Sequence, residues 1–283
     1  MTEQSLFSHN TERDKPTFAN INMLGKCNAD CYFCLGKDIP EYLSGRRDNL
    51  IDFRNWPRFS EFLSKIANLG IKKVYLTGQN TDALLCRSLY ELIEYVQSRG
   101  FDIGLRTNGV LALSRISAIN NARLETGYSI NSLDDETNLK IMRCRCPNWD
   151  RIIPLTQRCR VSIVVCRHNV DEFYSLVRYA GSFKTVQHVQ ARRISTETRR
   201  SELGYELELY EQLHDVVARR FECVRDFYGA PIYDIDGTEV TFWRTVKTSI
   251  GSVNYFTDGT ISDDYFVVKG YTDAIGKSLP VVY

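Results

Sequence analysis

Between Thr17 and Val217, stretches of strand character alternate six times with stretches whose apolar residues recur at helical spacing. Thr17–Leu24 opens the series as a first strand. Trp56, Phe59, Phe62, Leu63, Ile66 and Leu69 then follow one face of a helix, which Gly70 stops. Lys73–Thr77 is a second strand ending at Gly78, and Leu85, Leu89, Leu92, Ile93 and Val96 mark a second helix ended by Gly100. Further strands are expected at Phe101–Arg106, Glu125–Asn131, Arg160–Cys166 and Thr185–Ala191. Helical segments separate them at Ser114–Ala122, at Asp134–Met142 with Asn148–Gln157, and at Asp171–Ala180. Leu203, Leu207, Tyr210, Leu213 and Val217 mark a long closing helix. Short connections in such a series imply parallel strands joined by right-handed crossovers. The alternation alone fits an open doubly wound sheet as well as a barrel.

After about Arg220 the pattern shifts to short strands. Tyr233–Thr238 and Phe256–Thr260 each carry an Asp-Gly turn, the strongest short-range hairpin signal. The expected organisation is a polar segment over 1–16, an α/β unit over 17–220 and a β-rich extension over 221–283. The extension is rich in aromatics (Tyr228, Tyr233, Phe242, Trp243, Tyr255, Phe256, Tyr265, Phe266, Tyr271) that would pack it onto the preceding unit.

Within the connection after the first strand lie Cys27, Cys31 and Cys34, in the run Cys27-Asn28-Ala29-Asp30-Cys31-Tyr32-Phe33-Cys34. The spacing is C-x3-C-x2-C, with an aromatic just before the last cysteine. A structural zinc site or a closed iron–sulfur cluster recruits a fourth ligand. Three thiolates instead leave one metal position open, and that is where chemistry takes place. Zinc sites usually show two C-x2-C pairs or a Cys/His mixture. Here the nearest downstream histidine is His168. The chain has nine cysteines, no signal-peptide-like N-terminus and no apolar run near the ~18 residues that span a bilayer. They read as reduced thiols in a cytoplasmic compartment. The other six form no second C-x2-C group, so no auxiliary iron–sulfur domain is expected.

The cysteine run resembles the signature of the radical S-adenosylmethionine (SAM) superfamily. The resemblance implies a partial (β/α)6 barrel of TIM type, its site at the C-terminal ends of the strands, with a 4Fe–4S cluster on Cys27, Cys31 and Cys34. It implies SAM on the open iron, cleaved by the reduced cluster to a 5′-deoxyadenosyl radical that abstracts a hydrogen atom. An electron donor such as flavodoxin or ferredoxin is then a partner. By the same resemblance, Phe33 turns its backbone toward the adenine. The turn Thr77-Gly78-Gln79-Asn80 stands where relatives carry a Gly-Gly-Glu-Pro-like turn for the SAM ammonium. One glycine is missing and glutamine replaces glutamate. A carboxamide oxygen still accepts a hydrogen bond, without full charge assistance. Asp82 or backbone oxygens are the alternative, and a simple turn with a helix cap is another. Asn108, in Thr107-Asn108-Gly109, fits a pocket lining or a plain turn. Ser129 and Asn131 share one face of the fourth strand and fit the SAM ribose or carboxylate. Arg143 fits the SAM carboxylate or a solvated surface position.

The substrate is less legible. Net charge is +1, so no overall field recruits nucleic acid or membrane. Two local clusters are basic: Lys140, Arg143, Arg145, Arg151, Arg158 and Arg160, then Arg192, Arg193, Arg199 and Arg200. Arg192 and Arg193 follow the sixth strand, on the rim where a phosphate or carboxylate would lie, or form an exposed charged loop. The leading expectation is a small polar or anionic metabolite, such as a nucleotide or nucleoside derivative. Radical modification of a ribosomal peptide or of a nucleic-acid base is a second. A non-catalytic iron–sulfur, SAM-binding regulatory protein is the reading from another class, kept open by the altered Gly78-Gln79-Asn80 turn. Cys144 and Cys146 are candidate hydrogen donors or plain thiols.

Overall fold

The computed structural model describes residues 16–196, 199, 201–244 and 251–263. The strands are β1 (Phe18–Met23), β2 (Lys73–Gly78), β3 (Asp102–Thr107), β4 (Thr126–Ser129), β5 (Cys159–Val164) and β6 (Val186–Arg192). They continue with β7 (Cys223–Phe227), β8 (Ala230–Ile235), β9 (Thr238–Trp243), β10 (Ser252–Phe256) and β11 (Ile261–Ser262). The helices are α1 (Glu41–Ser44), α2 (Phe59–Asn68), α3 (Leu89–Ser98), α4 (Ile116–Asn121), α5 (Asp135–Met142), α6 (Trp149–Leu155), α7 (Phe173–Gly181) and α8 (Gly204–Arg220). The expected six-fold strand–helix alternation is present, and β1 to β6 lie side by side in parallel. Side chains from these strands line a cavity of about 600 Å³, as in a partial barrel, which opens to solvent past Thr17, Lys72 and Lys73 at the N-terminal ends of the strands.

The strands after α8 join this sheet at both edges. The order is β11-β10-β1-β2-β3-β4-β5-β6-β9-β8-β7. β10 runs parallel to β1, and β9 parallel to β6. The Asp-Gly signals fall on turns: Asp236 and Gly237 both take positive φ (53° and 84°) between β8 and β9, as a type I′ turn requires. Asp258-Gly259 joins β10 to β11. Of the aromatics expected to pack this region, Tyr255 lies against Trp56, Phe59 and Phe62, and Tyr233 against Phe242. Tyr265, Phe266 and Tyr271, and most of the segment 1–16, lie outside the described residues.

The two faces of the sheet differ. Outward positions such as Ala19, Ile21, Met23, Val74, Leu76, Ile103, Leu105, Val161 and Ile163 are fully buried against the helices and form the main core. Burying each such side chain contributes about 1.5–3 kcal/mol. The inward face is polar: Asn20 and Asn22 on β1, Tyr75 and Thr77 on β2, Arg106 on β3, Arg160 and Ser162 on β5, Gln190 and Arg192 on β6. A parallel strand packed on both faces reads as a continuous apolar run. The alternation seen here marks a barrel whose interior is a polar cavity. Two glycines keep it open. A Cβ on Gly104 would stand 2.9 Å from the Tyr75 ring, and one on Gly127 would stand 2.9 Å from the Arg106 side chain.

Candidate functional site

The loop after β1 carries the three cysteines, and its backbone is held from four sides. Asn80 Oδ1 accepts from the Gly25 N–H (2.9 Å), and the Thr81 hydroxyl donates to the Lys26 carbonyl (3.1 Å). Asn108 Nδ2 donates to Asn28 Oδ1 (2.8 Å) and lies 3.7 Å from Cys27 Sγ. The Asp30 and Tyr32 amides donate to the carbonyls of Met142 and Ile141 at the end of α5 (3.0 and 3.2 Å). Arg199 donates to the Tyr32 and Cys34 carbonyls (2.9 and 2.8 Å) and pairs with buried Asp38 (2.7 Å). The C-terminal ends of β2, β3 and β4, with the segment after β6, thus converge on one loop.

All three thiols are half-buried and reduced. Burial first of all pushes each upward, Cys27 to about 12. A thiolate here needs a positive partner to exist at neutral pH. Among the described residues, no three His, Cys, Asp or Glu side chains converge on a single-ion position. A four-iron cubane takes each thiolate on a different iron and needs them further apart than one ion would.

The turn after β2 sits against this loop: a Cβ on Gly36 would meet Asn80 and the Gln79 carbonyl at 2.8 Å. Gly78 has no room for a side chain, since a Cβ would stand 1.8 Å from the Thr81 carbonyl oxygen. Gln79 is 4% exposed. Its Nε2 donates to Asn22 Oδ1 (2.6 Å), but its Oε1 is buried with no hydrogen-bond partner. A buried acceptor left in that state costs about 1–3 kcal/mol, so the position calls for a donor. Asp82 is already engaged. It accepts from the Asn108 and Leu84 amides and the Thr107 hydroxyl (2.6, 2.9 and 2.8 Å), bracing the second turn against the third. Burial raises its carboxyl above the usual range, and these three donations work against that rise.

The remaining expected residues are placed as follows. Phe33 packs beside Tyr32 and the apolar group of Ile141, Met142, Cys166 and Ile194. Ser129 ends β4 opposite Ser162 of β5. Asn131 makes two scaffold contacts: Nδ2 donates to the Met142 sulfur (3.2 Å), and Oδ1 accepts from the Val164 amide (2.9 Å). Arg143 is exposed and ends α5 with a left-handed backbone (φ 58°). Arg192 lines the cavity, whereas Arg193 pairs with Glu211 of α8 (3.1 Å). The two basic clusters of the sequence therefore do not act as units. Arg160 and Arg192 point into the barrel, Arg199 clamps the cysteine loop, and Arg200 lies outside the described residues.

Inside the barrel, Arg160 is 4% exposed and hydrogen-bonds Ser162 and Gln190. Arg106 stacks 4.0 Å over the Tyr75 ring and pairs with Glu125 (3.0 Å). His188 is held neutral, pushed down to about 4 by burial and then by the Arg160 charge.

A family model of the radical SAM superfamily matches residues 21–170, just over half of the chain, and spans the cysteine loop with β1 to β5. The chain belongs to the radical SAM superfamily. Such proteins are enzymes, and the family implies a 4Fe–4S cluster and SAM. The GTP 3′,8-cyclase of Aquifex aeolicus is 29% identical over 173 residues, covering 56% of this chain and 51% of that one. A S-adenosylmethionine-dependent nucleotide dehydratase of Lacinutrix mariniflava is 29% identical over 127 residues, 44% of this chain and 25% of that one. The chain thus spans about half the length of the curated cyclase. In fold it is similar to Streptococcus suis SuiB bound to S-adenosylmethionine (TM-score 0.57, 14% identity, 88% of this chain and 58% of that one). SuiB bound to its precursor peptide SuiA gives a TM-score of 0.58 at 15% identity, over 89% of this chain and 60% of that one.

The residues fit what the radical SAM family implies: three thiols in the loop after β1, and, on the turn packed against that loop, a buried amide oxygen lacking a donor among the described residues. Several residues of the site were not legible from motifs. Asn254 of β10 accepts from Asn20 and Asn22 (2.9 and 3.4 Å) and so orients the partner of Gln79. Its role depends on β10 returning beside β1, which no local pattern announces. Tyr75, Arg106, Arg160 and Gln190 did leave a trace, as polar residues at every second position of strands otherwise apolar.

Proposed function

We propose that this chain cleaves SAM reductively and directs the resulting radical at a small anionic, nucleotide-like metabolite held in the barrel. The cluster would be held by Cys27, Cys31 and Cys34. SAM would be held by Phe33, Gly78, Gln79, Asn80, Asn108, Ser129, Asn131 and Arg143, with Gln79 Oε1 accepting from the ammonium. Bound together, reduced cluster and SAM supply a 5′-deoxyadenosyl radical. The chain's own residues orient the reactants: Asn22 fixes the Gln79 amide, and Asp82 fixes the turn beside it. The observation that carries this reading is the unmet Gln79 oxygen on the turn packed against the cysteine loop, in a barrel whose cavity is lined by arginines. That relatives are named for GTP and nucleotide substrates supports the substrate class.

The test is anaerobic incubation of the reconstituted, reduced chain with SAM and a panel of nucleotides. The expected products are 5′-deoxyadenosine and, from a deuterated substrate, deuterium in that product. Absence of 5′-deoxyadenosine under every condition would overturn the reading. Gln79→Ala is expected to weaken SAM binding about 10- to 100-fold, the value of one hydrogen bond to a charged group, with iron content unchanged. Unaltered SAM affinity would move the ammonium site elsewhere.

A further inference from the structure

The register of the sheet sets Arg106 of β3 and Arg160 of β5 on either side of Gly127 of β4. Both side chains fold over Gly127, which has no room for a side chain of its own: a Cβ there would stand 2.9 Å from Arg106 Cδ and 3.1 Å from Arg160 Cζ and Nη2. Arg160 Nη1 is committed to Ser162 and Gln190, but Nη2 makes no hydrogen bond to any described residue. The Arg106 plane is fixed by the Tyr75 ring beneath it. Both cations share one carboxylate, Glu125, at 3.0 and 3.8 Å. Burial, and then the Arg106 and Arg192 charges, push the Arg160 guanidinium well below its usual range. Lys72 and Lys73 line the same cavity where it reaches the N-terminal ends of the strands. Arg192, registered with Val164, stands four residues further along the strands than Arg160, about 13 Å nearer their C-terminal ends.

We propose that Arg106 and Arg160, packed side by side over Gly127, form a subsite for the diphosphate or triphosphate end of the substrate. The inference rests on the function proposed above for its substrate, but the subsite stands or falls on its own ligand. The chemistry selects a polyphosphate over a carboxylate. A carboxylate is planar and is satisfied by one bidentate guanidinium, and the pocket already holds one in Glu125. Two neighbouring guanidiniums that share one carboxylate, with Arg160 Nη2 left over, match tetrahedral groups with oxygens on several sides. Two lysines at the floor extend the positive surface for a second phosphate. The anion then lies deep in the barrel, and the sugar or base end points up toward the cysteine loop. Glu125 holds the place of the anion in the free enzyme, so ligand phosphate competes with it for both arginines.

Calorimetric titration of inorganic pyrophosphate into the reconstituted full chain, at about 0.15 M salt where surface attraction is screened, tests this directly. Arg106→Gln and Arg160→Gln are expected to weaken binding about tenfold or more each. Glu125→Gln keeps the shape, removes the competing carboxylate and is expected to tighten binding several-fold. A purely structural ion-pair network would not give that change of sign, and the variant remains informative if Arg160→Gln fails to fold. SAM affinity should be unmoved in all three. The subsite is overturned if wild type does not bind pyrophosphate, if the arginine variants bind it equally well, or if citrate binds in preference. Pyrophosphate binding without 5′-deoxyadenosine formation would support the subsite while removing the proposed function. 5′-Deoxyadenosine without pyrophosphate binding would do the reverse.

Discussion

Cys31→Ala is expected to abolish cluster assembly, taking iron from about four per chain to near zero and SAM cleavage with it. The reason is geometric. The cysteine loop is tied through its backbone and its asparagines to Asn80, Asn108, α5 and Arg199, so the three sulfurs are presented by a preformed frame. None of those ties uses the Cys31 thiol as donor, so the variant keeps the frame and loses one ligand. Far-ultraviolet circular dichroism should therefore be unchanged while the visible thiolate-to-iron absorption disappears. Cys144→Ala is the matched control. Cys144 packs in the same small apolar group as Cys31, but it lies outside the C-x3-C-x2-C run, and its loss should leave iron content intact. Retention of the cluster in Cys31→Ala would sink the ligand assignment.

The contrast between the frame and the barrel interior explains what the sequence revealed. The strand and helix series was legible because each element carries its own period. The outward Ala19, Ile21 and Met23 and the helical Phe59, Phe62 and Ile66 announce themselves within a few residues. The cysteine loop was legible because its three cysteines sit within one run of eight residues. Asp82 was only half legible. Its carboxylate was a candidate for the SAM ammonium, yet it accepts from the Thr107 hydroxyl and the Asn108 amide of the third turn, more than twenty residues away, as well as from the Leu84 amide nearby. The arginines misled for the same reason. Arg192, Arg193 and Arg199 are close in sequence, but strand geometry and the segment that follows send one into the cavity, one to α8 and one to the cysteine loop. Charge clusters along a chain become sites only if the backbone keeps them on one face, and here it does not.

Arg199→Ala follows from that last placement. It is expected to destabilise the chain by about 3 kcal/mol and to speed the loss of iron to a chelator. Asp38 is completely buried, and Arg199 Nε reaches its Oδ1 at 2.7 Å while both Nη groups donate to the Tyr32 and Cys34 carbonyls. Removing one partner of a buried ion pair costs about 3–5 kcal/mol, because the other charge stays desolvated. The Thr196 hydroxyl still donates to Asp38 Oδ2 (2.7 Å), which places the expectation at the lower end of that range. The same change frees two carbonyls flanking the last two cysteines, so cluster retention and fold stability fall together. Arg199→Lys keeps the charge but cannot serve an acid and two carbonyls with one fixed fork. It should recover most of the melting temperature and only part of the resistance to chelation. Removing a cation beside the thiolates should also move the cluster's midpoint potential in the negative direction, which a purely structural clamp on Asp38 would not do. Wild-type melting and wild-type iron retention in Arg199→Ala would show that the loop holds the cluster without this clamp.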